Sequence, residues 1–181
     1  MYDPSAPRFT FRPLAPSDLT LLHEWLNRPH VSEWWGGPVS FERVREHYTA
    51  HIDSPWASPM LAFLDGAPVG YAQSYDVMHA GAGWWVDETD PGARGIDQFL
   101  AHASQLGRGL GTQMVIQLVS RVFDDPAVTK VQTDPSCDNA RAIRAYEKAG
   151  FRRVGEVVTP DGPALLMTVH RADWGHRPRV A

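Results

Sequence analysis

The sequence predicts one α/β domain in which helices pack on a mixed β-sheet. Three observations lead to this fold class. Strand-like and helix-like patterns alternate along the chain, no repeat or low-complexity run divides it, and 181 residues with 43% hydrophobic content suffice for one large core. We take residues 1–181 as the domain, with a core over about 8–172 and a polar tail over 174–181.

The first half of the chain predicts a strand, two helices and a hairpin. Residues 9–14 alternate as a strand does, and Ser17 is a candidate N-cap for a helix with apolar residues at helical spacing. A second helix is predicted over 40–52. Apolar runs on both sides of Asp65-Gly66 predict a β-hairpin, because this dipeptide suits a two-residue turn.

The second half of the chain alternates strands and helices and ends in another hairpin. Its predicted elements are, in order, a strand at 94–101, a helix at 112–123, a strand at 128–134, a helix closed by Gly150, and two strands around the turn Pro160-Asp161-Gly162-Pro163.

Composition limits the function classes. The net charge of −4 argues against a nucleic-acid partner, and no apolar run approaches the length that a membrane span needs. The N-terminus lacks the pattern of a secretory signal, and the single cysteine, Cys137, cannot form an internal disulfide. These features predict a cytoplasmic protein.

Three alternate glycines, Gly107, Gly109 and Gly111, come directly before the helix at 112–123. A strand, a glycine-rich loop and a helix start together form an anion site, because the first N–H groups of a helix have no partner within it. The sequence is not a Walker A motif, and its G-x-G-x-G spacing is not the dinucleotide pattern. The loop therefore indicates a diphosphate without specifying which one.

Asn139, Ile143 and Tyr146 follow at i, i+4 and i+7, so they share one helix face. The amide and the phenol could line the same ligand. The alternative is a capping asparagine with a half-buried tyrosine.

Two segments resemble the acetyl-coenzyme A signature of the GNAT superfamily of N-acetyltransferases. They read LGRGLGT and DPSCDNARAIRAYEKAGF. Further runs look very like aminoglycoside 6′-N-acetyltransferases over roughly residues 8–170, among them HEWLNRPHVSEWWGG, GWWVDETDPGARGIDQFLAHASQLGRGLGT and TPDGPA. The resemblance implies a GNAT fold, with a twisted, mostly antiparallel central sheet and flanking helices. It also implies acetyl-CoA as cosubstrate, direct acetyl transfer to the 6′-amine of an aminoglycoside in a ternary complex, antibiotic resistance, and a monomer.

In this family the glycine loop binds the coenzyme A pyrophosphate through main-chain N–H groups. By resemblance, the coenzyme-binding residues are Leu106, Gly107, Arg108, Gly109, Leu110, Gly111, Thr112, Asn139 and Tyr146. The loop departs from the family at Leu106, where Arg or Gln is usual. Because main-chain amides do the binding, we expect little loss.

The resemblance also assigns two catalytic residues. Tyr146 occupies the position of the general acid, and a phenol can protonate a departing thiolate. Asp97 is the candidate base, although an unperturbed aspartate is a poor proton acceptor and can instead orient the amine. The alternative for Asp97 is a structural pair with Arg94.

The acceptor site implied by the resemblance combines aromatic rings with carboxylates, which suits a sugar bearing ammonium groups. Its residues are Trp35, Tyr48, Gln73, Trp84, Trp85, Asp97, Asp134 and Asp161. Trp34 is an alternative to Trp35 in the alignment. Relatives tend to carry an aspartate where this chain has Ala82, which leaves the range of drugs open.

Other functions are also compatible with parts of the sequence. The same reaction could serve hydroxylysine in siderophore synthesis or a protein N-terminus, and a non-catalytic acyl-CoA sensor would lack Tyr146 or Asp97, which are both present. His47 and His51 lie at i, i+4, but no third ligand stands at a recognisable spacing, so we predict no metal.

Overall fold

The computed structural model describes residues 8–175 and contains seven strands with helices on both faces of the sheet. The strands are β1 (Phe9–Pro13), β2 (Ala57–Leu64), β3 (Ala67–Asp76), β4 (Ala93–Leu100), β5 (Lys130–Thr133), β6 (Arg152–Thr159) and β7 (Gly162–His170). The α-helices are α1 (Leu19–Leu26), α2 (Pro29–Ser32), α3 (Phe41–Asp53), α4 (Leu110–Val122), α5 (Ala140–Lys148) and α6 (Arg171–Trp174).

The sheet is mostly antiparallel, as predicted. Its strand order is β1-β2-β3-β4-β5-β7-β6, and β4 with β5 is the parallel pair. These two strands align only over Ala93–Gly95 and Lys130–Gln132. Beyond Gly95, β4 therefore continues without β5 beside it, and a gap opens in the middle of the sheet.

The hairpin between β2 and β3 confirms its sequence signal. Asp65 has φ of 51° and Gly66 has φ of 80°. Positive φ at both central positions is what a type I′ turn requires, and Asp and Gly tolerate it better than bulky residues do.

Alternation along β4 divides the core between the two faces of the sheet. Phe99 packs with Tyr71 in a cluster that includes side chains of α1 and α3. Ile96 packs with Val115 and Leu118 of α4 on the other face. Since side chains alternate, Asp97 lies on the face of the sheet that carries Phe99.

The start of α1 differs from the prediction. Ser17 lies in a short 3₁₀ turn, and the N-cap of α1 is Asp18. The Asp18 carboxylate accepts a hydrogen bond from the Ala15 N–H at 2.8 Å and pairs with Arg12 at 2.9 Å. The capping prediction was wrong because a 3₁₀ turn precedes α1, and the Asp18 side chain bonds back to Ala15 instead of capping the helix.

The chain end is also better packed than predicted. Trp174, assigned to the polar tail, is buried against Phe123 with ring centroids 5.7 Å apart. Residues 176–181 of that tail lie outside the described residues. Among residues 8–175, no helix has the length and apolarity that crossing a membrane requires.

Candidate active site

Three carboxylates from different elements interact beside the gap between β4 and β5. Asp97 lies on β4, Asp134 directly follows β5, and Asp161 lies in the β6–β7 turn. Burial raises the pKa of Asp97 to about 6, and the negative charge of Asp161 adds to the effect. Burial raises the pKa of Asp134 to about 8, with further contributions from Asp97 and Asp161. A cationic ligand would relieve this repulsion.

The nearby cations are engaged elsewhere. Arg94 lies 3.8 Å from Asp76 and donates hydrogen bonds to the carbonyls of Pro91 and Ala93. Lys130 pairs with Glu88 at 2.8 Å. The structural pairing of Asp97 with Arg94, considered from the sequence, is therefore wrong: residues 94 and 97 point to opposite faces of β4.

Gln73 holds Asp97 in place. The two residues are directly opposite each other on β3 and β4, and Gln73 Nε2 donates to Asp97 Oδ2 at 2.7 Å. The Tyr71 hydroxyl donates to Gln73 Oε1 at 2.7 Å. Because that contact occupies the amide oxygen, the amide nitrogen faces the carboxylate.

Two of the predicted aromatic residues form the floor below Gln73 and Asp97. Tyr48 is buried and meets Tyr71 edge-on, with ring centroids 5.4 Å apart. Trp35 packs edge-on against Phe99 at 4.9 Å and against Tyr71 at 5.7 Å. Burial, helped by the charge of Asp97, raises the pKa of Tyr48, so its phenol is neutral.

Trp84 and Trp85 lie side by side in the loop between β3 and β4. Trp85 has φ of 51°, which costs a bulky residue about 1–2 kcal/mol. Gly83 brings this loop onto the turn that carries Asp161, since a Cβ there would lie 3.2 Å from Pro160 Cγ. The tryptophans and Asp161 therefore lie on one side of the space beside the gap between β4 and β5, which we call the cleft. Ala82 is exposed.

Buried indole nitrogens mark unsatisfied donors in this region. Among residues 8–175, Trp34 Nε1 has no hydrogen-bond partner and Trp85 Nε1 makes no hydrogen bond of normal geometry. Burial raises the pKa of Tyr75, and contact of the Trp85 indole with the Tyr75 hydroxyl acts in the opposite direction. Buried donors without partners are uncommon and cost free energy, so a ligand acceptor at Trp85 would stabilise the site.

Tyr146 projects from α5 and is buried, with its ring 5.3 Å from that of Phe151. Burial raises its pKa even though contact with Thr133 acts in the opposite direction, so the phenol keeps its proton. Asp97 and Asp134 contribute to the same increase. Asn139 caps α5, because its side chain accepts a hydrogen bond from the Ala142 N–H at 3.0 Å.

The glycine loop leaves the start of α4 open. Gly107 and Gly109 have φ of 72° and 78°, and Gly109 is the N-cap, with no side chain capping the helix. Left-handed backbone favours glycine at both positions. The first N–H groups of α4 are thus available to an anion. Gly111 is helical, with an ordinary φ.

The loop side chains differ in their surroundings. Leu106 and Leu110 pack on the cluster of Phe9, Leu100 and Met114, and Thr112 is buried. Arg108 is exposed. This arrangement leaves the main chain of the loop, rather than its apolar side chains, to contact a diphosphate.

The histidine pair of α3 has close rings, with centroids of His47 and His51 4.3 Å apart. Burial lowers the pKa of each. The described residues contain no group of three or more side chains arranged to hold a metal ion.

Sequence reasoning missed Tyr75. It is two residues beyond Gln73 on β3, so it shares the face of the sheet that carries Asp97, and it lies opposite Gly95. Its ring lies 6.5 Å from that of Trp85. The alternation Tyr71-Gln73-Tyr75 was visible, but the glycine that gives Tyr75 its room belongs to another strand.

Known proteins are similar to this chain in both sequence and fold. Residues 15–159 match the family described as "Acetyltransferase (GNAT) domain". The chain is 54% identical over 176 residues to an aminoglycoside N(6′)-acetyltransferase type 1 of Klebsiella pneumoniae, and 52% identical over 176 residues to one of Serratia marcescens; each match covers 95% of this chain and 88% of the relative. A crystal structure of aminoglycoside acetyltransferase AAC(6′)-Ib with coenzyme A and kanamycin superposes with a TM-score of 0.89 at 52% identity, covering 93% of this chain and 98% of the other.

Proposed function

The chain belongs to the acetyltransferase (GNAT) family, and we propose that it transfers the acetyl group of acetyl-CoA to the 6′-amine of aminoglycoside antibiotics. One structural observation carries the choice of acceptor. Asp97, Asp134 and Asp161 interact in a cleft beside aromatic rings, and the adjacent cations are paired elsewhere. Such a cleft favours a polycationic sugar over an acceptor with a single amine.

The glycine loop and the gap between β4 and β5 suit acetyl-CoA, which supplies an activated thioester when bound. We assign its pyrophosphate to the open start of α4, where Gly107 and Gly109 let the main chain approach closely. The acyl end then reaches the gap where β4 and β5 part after Gly95.

The N–H of Gln98 is our choice for the oxyanion donor. Ala101 N–H donates to Val69 O on β3 at 2.8 Å. Because donors alternate in direction along a strand, the N–H of Gln98 points away from β3, into the gap beyond Gly95. A main-chain N–H fixed there stabilises the negative charge that develops on the carbonyl oxygen.

Asp97 receives or orients the acceptor amine in our scheme. A carboxyl with a pKa of about 6 is a better proton acceptor than an ordinary aspartate. Gln73 fixes its direction, and the neighbouring carboxylates bind other ammonium groups of the same drug. An ammonium substrate first loses one proton to water, and the neutral amine attacks the carbonyl carbon. The nitrogen then loses a second proton, which Asp97 accepts and later releases to water.

Tyr146 supplies the proton that the departing thiolate takes up as the C–S bond breaks. Burial keeps the phenol protonated but also makes it a weaker acid. The same apolar surroundings raise the basicity of a thiolate formed beside it, so the two effects offset each other.

Antibiotic resistance is the consequence we propose for this reaction. Acetylation converts a 6′-ammonium group into a neutral amide, which weakens every ionic contact that the drug makes through that position. We also propose that the enzyme acts in the cytoplasm, a reducing compartment that a lone cysteine suits, and, by resemblance to its family, as a monomer.

A thiol-release assay with acetyl-CoA tests the acceptor. The panel holds kanamycin, an analogue with a 6′-hydroxyl, hydroxylysine and an N-terminal peptide. We expect turnover with kanamycin and none with the 6′-hydroxyl analogue. Activity confined to hydroxylysine or the peptide would leave an acetyltransferase and reject the aminoglycoside acceptor.

A further inference from the structure

The Tyr75 ring lies over Gly95 of β4, on the face of the sheet that carries Asp97. It faces Gly95 in the β3–β4 register, on the same face as Gln73 and Asp97. A Cβ built on Gly95 would lie 2.2 Å from Tyr75 Cζ and 2.6 Å from its hydroxyl oxygen. No real Cβ comes so close, so only glycine at position 95 leaves room for this ring.

The Tyr75 phenol lies near groups that the proposed reaction uses. The phenol interacts electrostatically with Asp97, Asp134 and Tyr146, and the Trp85 indole lies beside it. Burial, followed by the charges of Asp97 and Asp134, holds the pKa of Tyr75 well above its usual range. The phenol therefore keeps its proton at neutral pH and can act only as a neutral donor or acceptor.

This side of the acceptor site holds several hydrogen-bond acceptors, and its free donors include the indole N–H of Trp85. Asp97 and Asp134 only accept once a cationic ligand holds them ionised, the Gln73 amide already donates to Asp97, and the Tyr71 hydroxyl donates to Gln73. Within residues 8–175, no side chain accepts the Tyr75 proton. An aminoglycoside brings ammonium groups for the carboxylates, but its hydroxyl and ring oxygens also need donors when they leave water.

We propose that Tyr75 is a specificity-determining residue whose hydroxyl donates a hydrogen bond to an oxygen of the sugar ring that carries the 6′-amine. The inference rests on the proposed function and adds a contact to its acceptor site. The contact is made to a part of the sugar that does not react, so it persists from the bound state to the transition state. It should therefore act on KM rather than on kcat.

Tyr75→Phe tests the hydroxyl while the ring remains over Gly95. We expect KM for kanamycin to rise about three- to tenfold, with kcat and KM for acetyl-CoA changed less than about twofold. An unchanged KM for kanamycin, or a loss confined to kcat, would overturn the inference.

Substrate analogues that each lack one hydroxyl of that ring identify the contact. The analogue without the bound oxygen should have nearly the same KM with the wild type and with Tyr75→Phe. If the ring oxygen is bound instead, an analogue with carbon in its place should behave this way. A loss in Tyr75→Phe that persists undiminished for all of these analogues would overturn the contact.

Gly95→Ala tests the geometry independently, because the new methyl group displaces the Tyr75 ring. Its matched control is Gly155→Ala in β6, where a Cβ meets nothing within 4 Å. We expect Gly95→Ala to raise KM for kanamycin at least as much as Tyr75→Phe does, and the control to leave it unchanged. Should Gly95→Ala not fold, Tyr75→Phe decides alone.

The two proposals fail in different ways. A wild-type protein without turnover on kanamycin would overturn the proposed function, and this inference with it. Wild-type turnover together with an unaltered Tyr75→Phe would overturn only this inference.

Discussion

Asp97→Asn should stabilise the ligand-free protein while it removes activity. Burial raises the pKa of Asp97 to about 6, although the Gln73 amide donates a hydrogen bond to the carboxylate. An asparagine has nearly the same shape, keeps an oxygen for that hydrogen bond, and carries no charge. The variant therefore removes a buried charge that folding would otherwise have to accommodate.

The magnitude follows from the pKa of Asp97 in the folded and unfolded chain. When the folded-state pKa of a carboxyl is above its unfolded-state pKa, ionisation of that carboxyl destabilises the fold. This cost begins as pH rises above the unfolded-state pKa and is complete above the folded-state pKa. The change from 3.8 to about 6 corresponds to about 3 kcal/mol once Asp97 is fully ionised. By the same relation, about 0.5 kcal/mol of this cost is present at pH 4 and nearly all of it at pH 8.

The free energy of unfolding of Asp97→Asn, relative to the wild type, should thus increase by about 2 kcal/mol between pH 4 and pH 8, which corresponds to about 4–8 °C in Tm. Urea unfolding at several pH values measures it. Asp65→Asn is the control, because Asp65 is exposed in a turn that asparagine also adopts. A difference for Asp97→Asn that is constant with pH, or larger at pH 4, would refute the electrostatic reasoning.

Four further substitutions test separate parts of the site. Tyr146→Phe should lower turnover at least about a hundredfold while KM for acetyl-CoA stays within about threefold, and an unchanged rate would end its role as the acid. Gly111→Ala should keep or raise the unfolding free energy, by up to about 1 kcal/mol, because the position is helical and the Cβ would make only an ordinary contact at 3.8 Å, but it should weaken acetyl-CoA binding measured by calorimetry. Gly109→Ala should weaken acetyl-CoA binding too, and in addition it should lose about 1 kcal/mol of stability, because Gly109 has φ of 78°. Equal stability losses in the two glycine variants would contradict this account. Ala82→Asp should improve KM for some aminoglycosides by less than about fivefold, because position 82 is exposed; no gain with any drug would show that another group already serves that part of the cleft.

Local signals predicted most of the fold. The hairpin at Asp65-Gly66, the helix that Ser40 caps and the glycines before α4 each depend on a few neighbouring residues. The first helix shows the limit of such signals. A 3₁₀ turn over Pro16–Asp18 comes before α1, and the Asp18 carboxylate pairs with Arg12 on a separate strand, which no pattern around Ser17 could show.

The site needed more than local signals. The resemblance assigned Asp97, Asp134 and Asp161 to one acceptor site, but no pattern in the sequence itself could bring them together, because that depends on where β4 and β5 part. Nor could it find the contact between Tyr75 and Gly95, which is fixed by the register of two strands about twenty residues apart.

The position of the acetyl group on the product tests the central claim most directly. Kanamycin incubated with the enzyme and acetyl-CoA should give one monoacetylated product, and two-dimensional NMR should correlate its acetyl carbonyl with the protons of C6′. An acetyl group on another amine, or no acetylated kanamycin at all, would contradict the proposal that Asp97 receives the 6′-amine in this cleft.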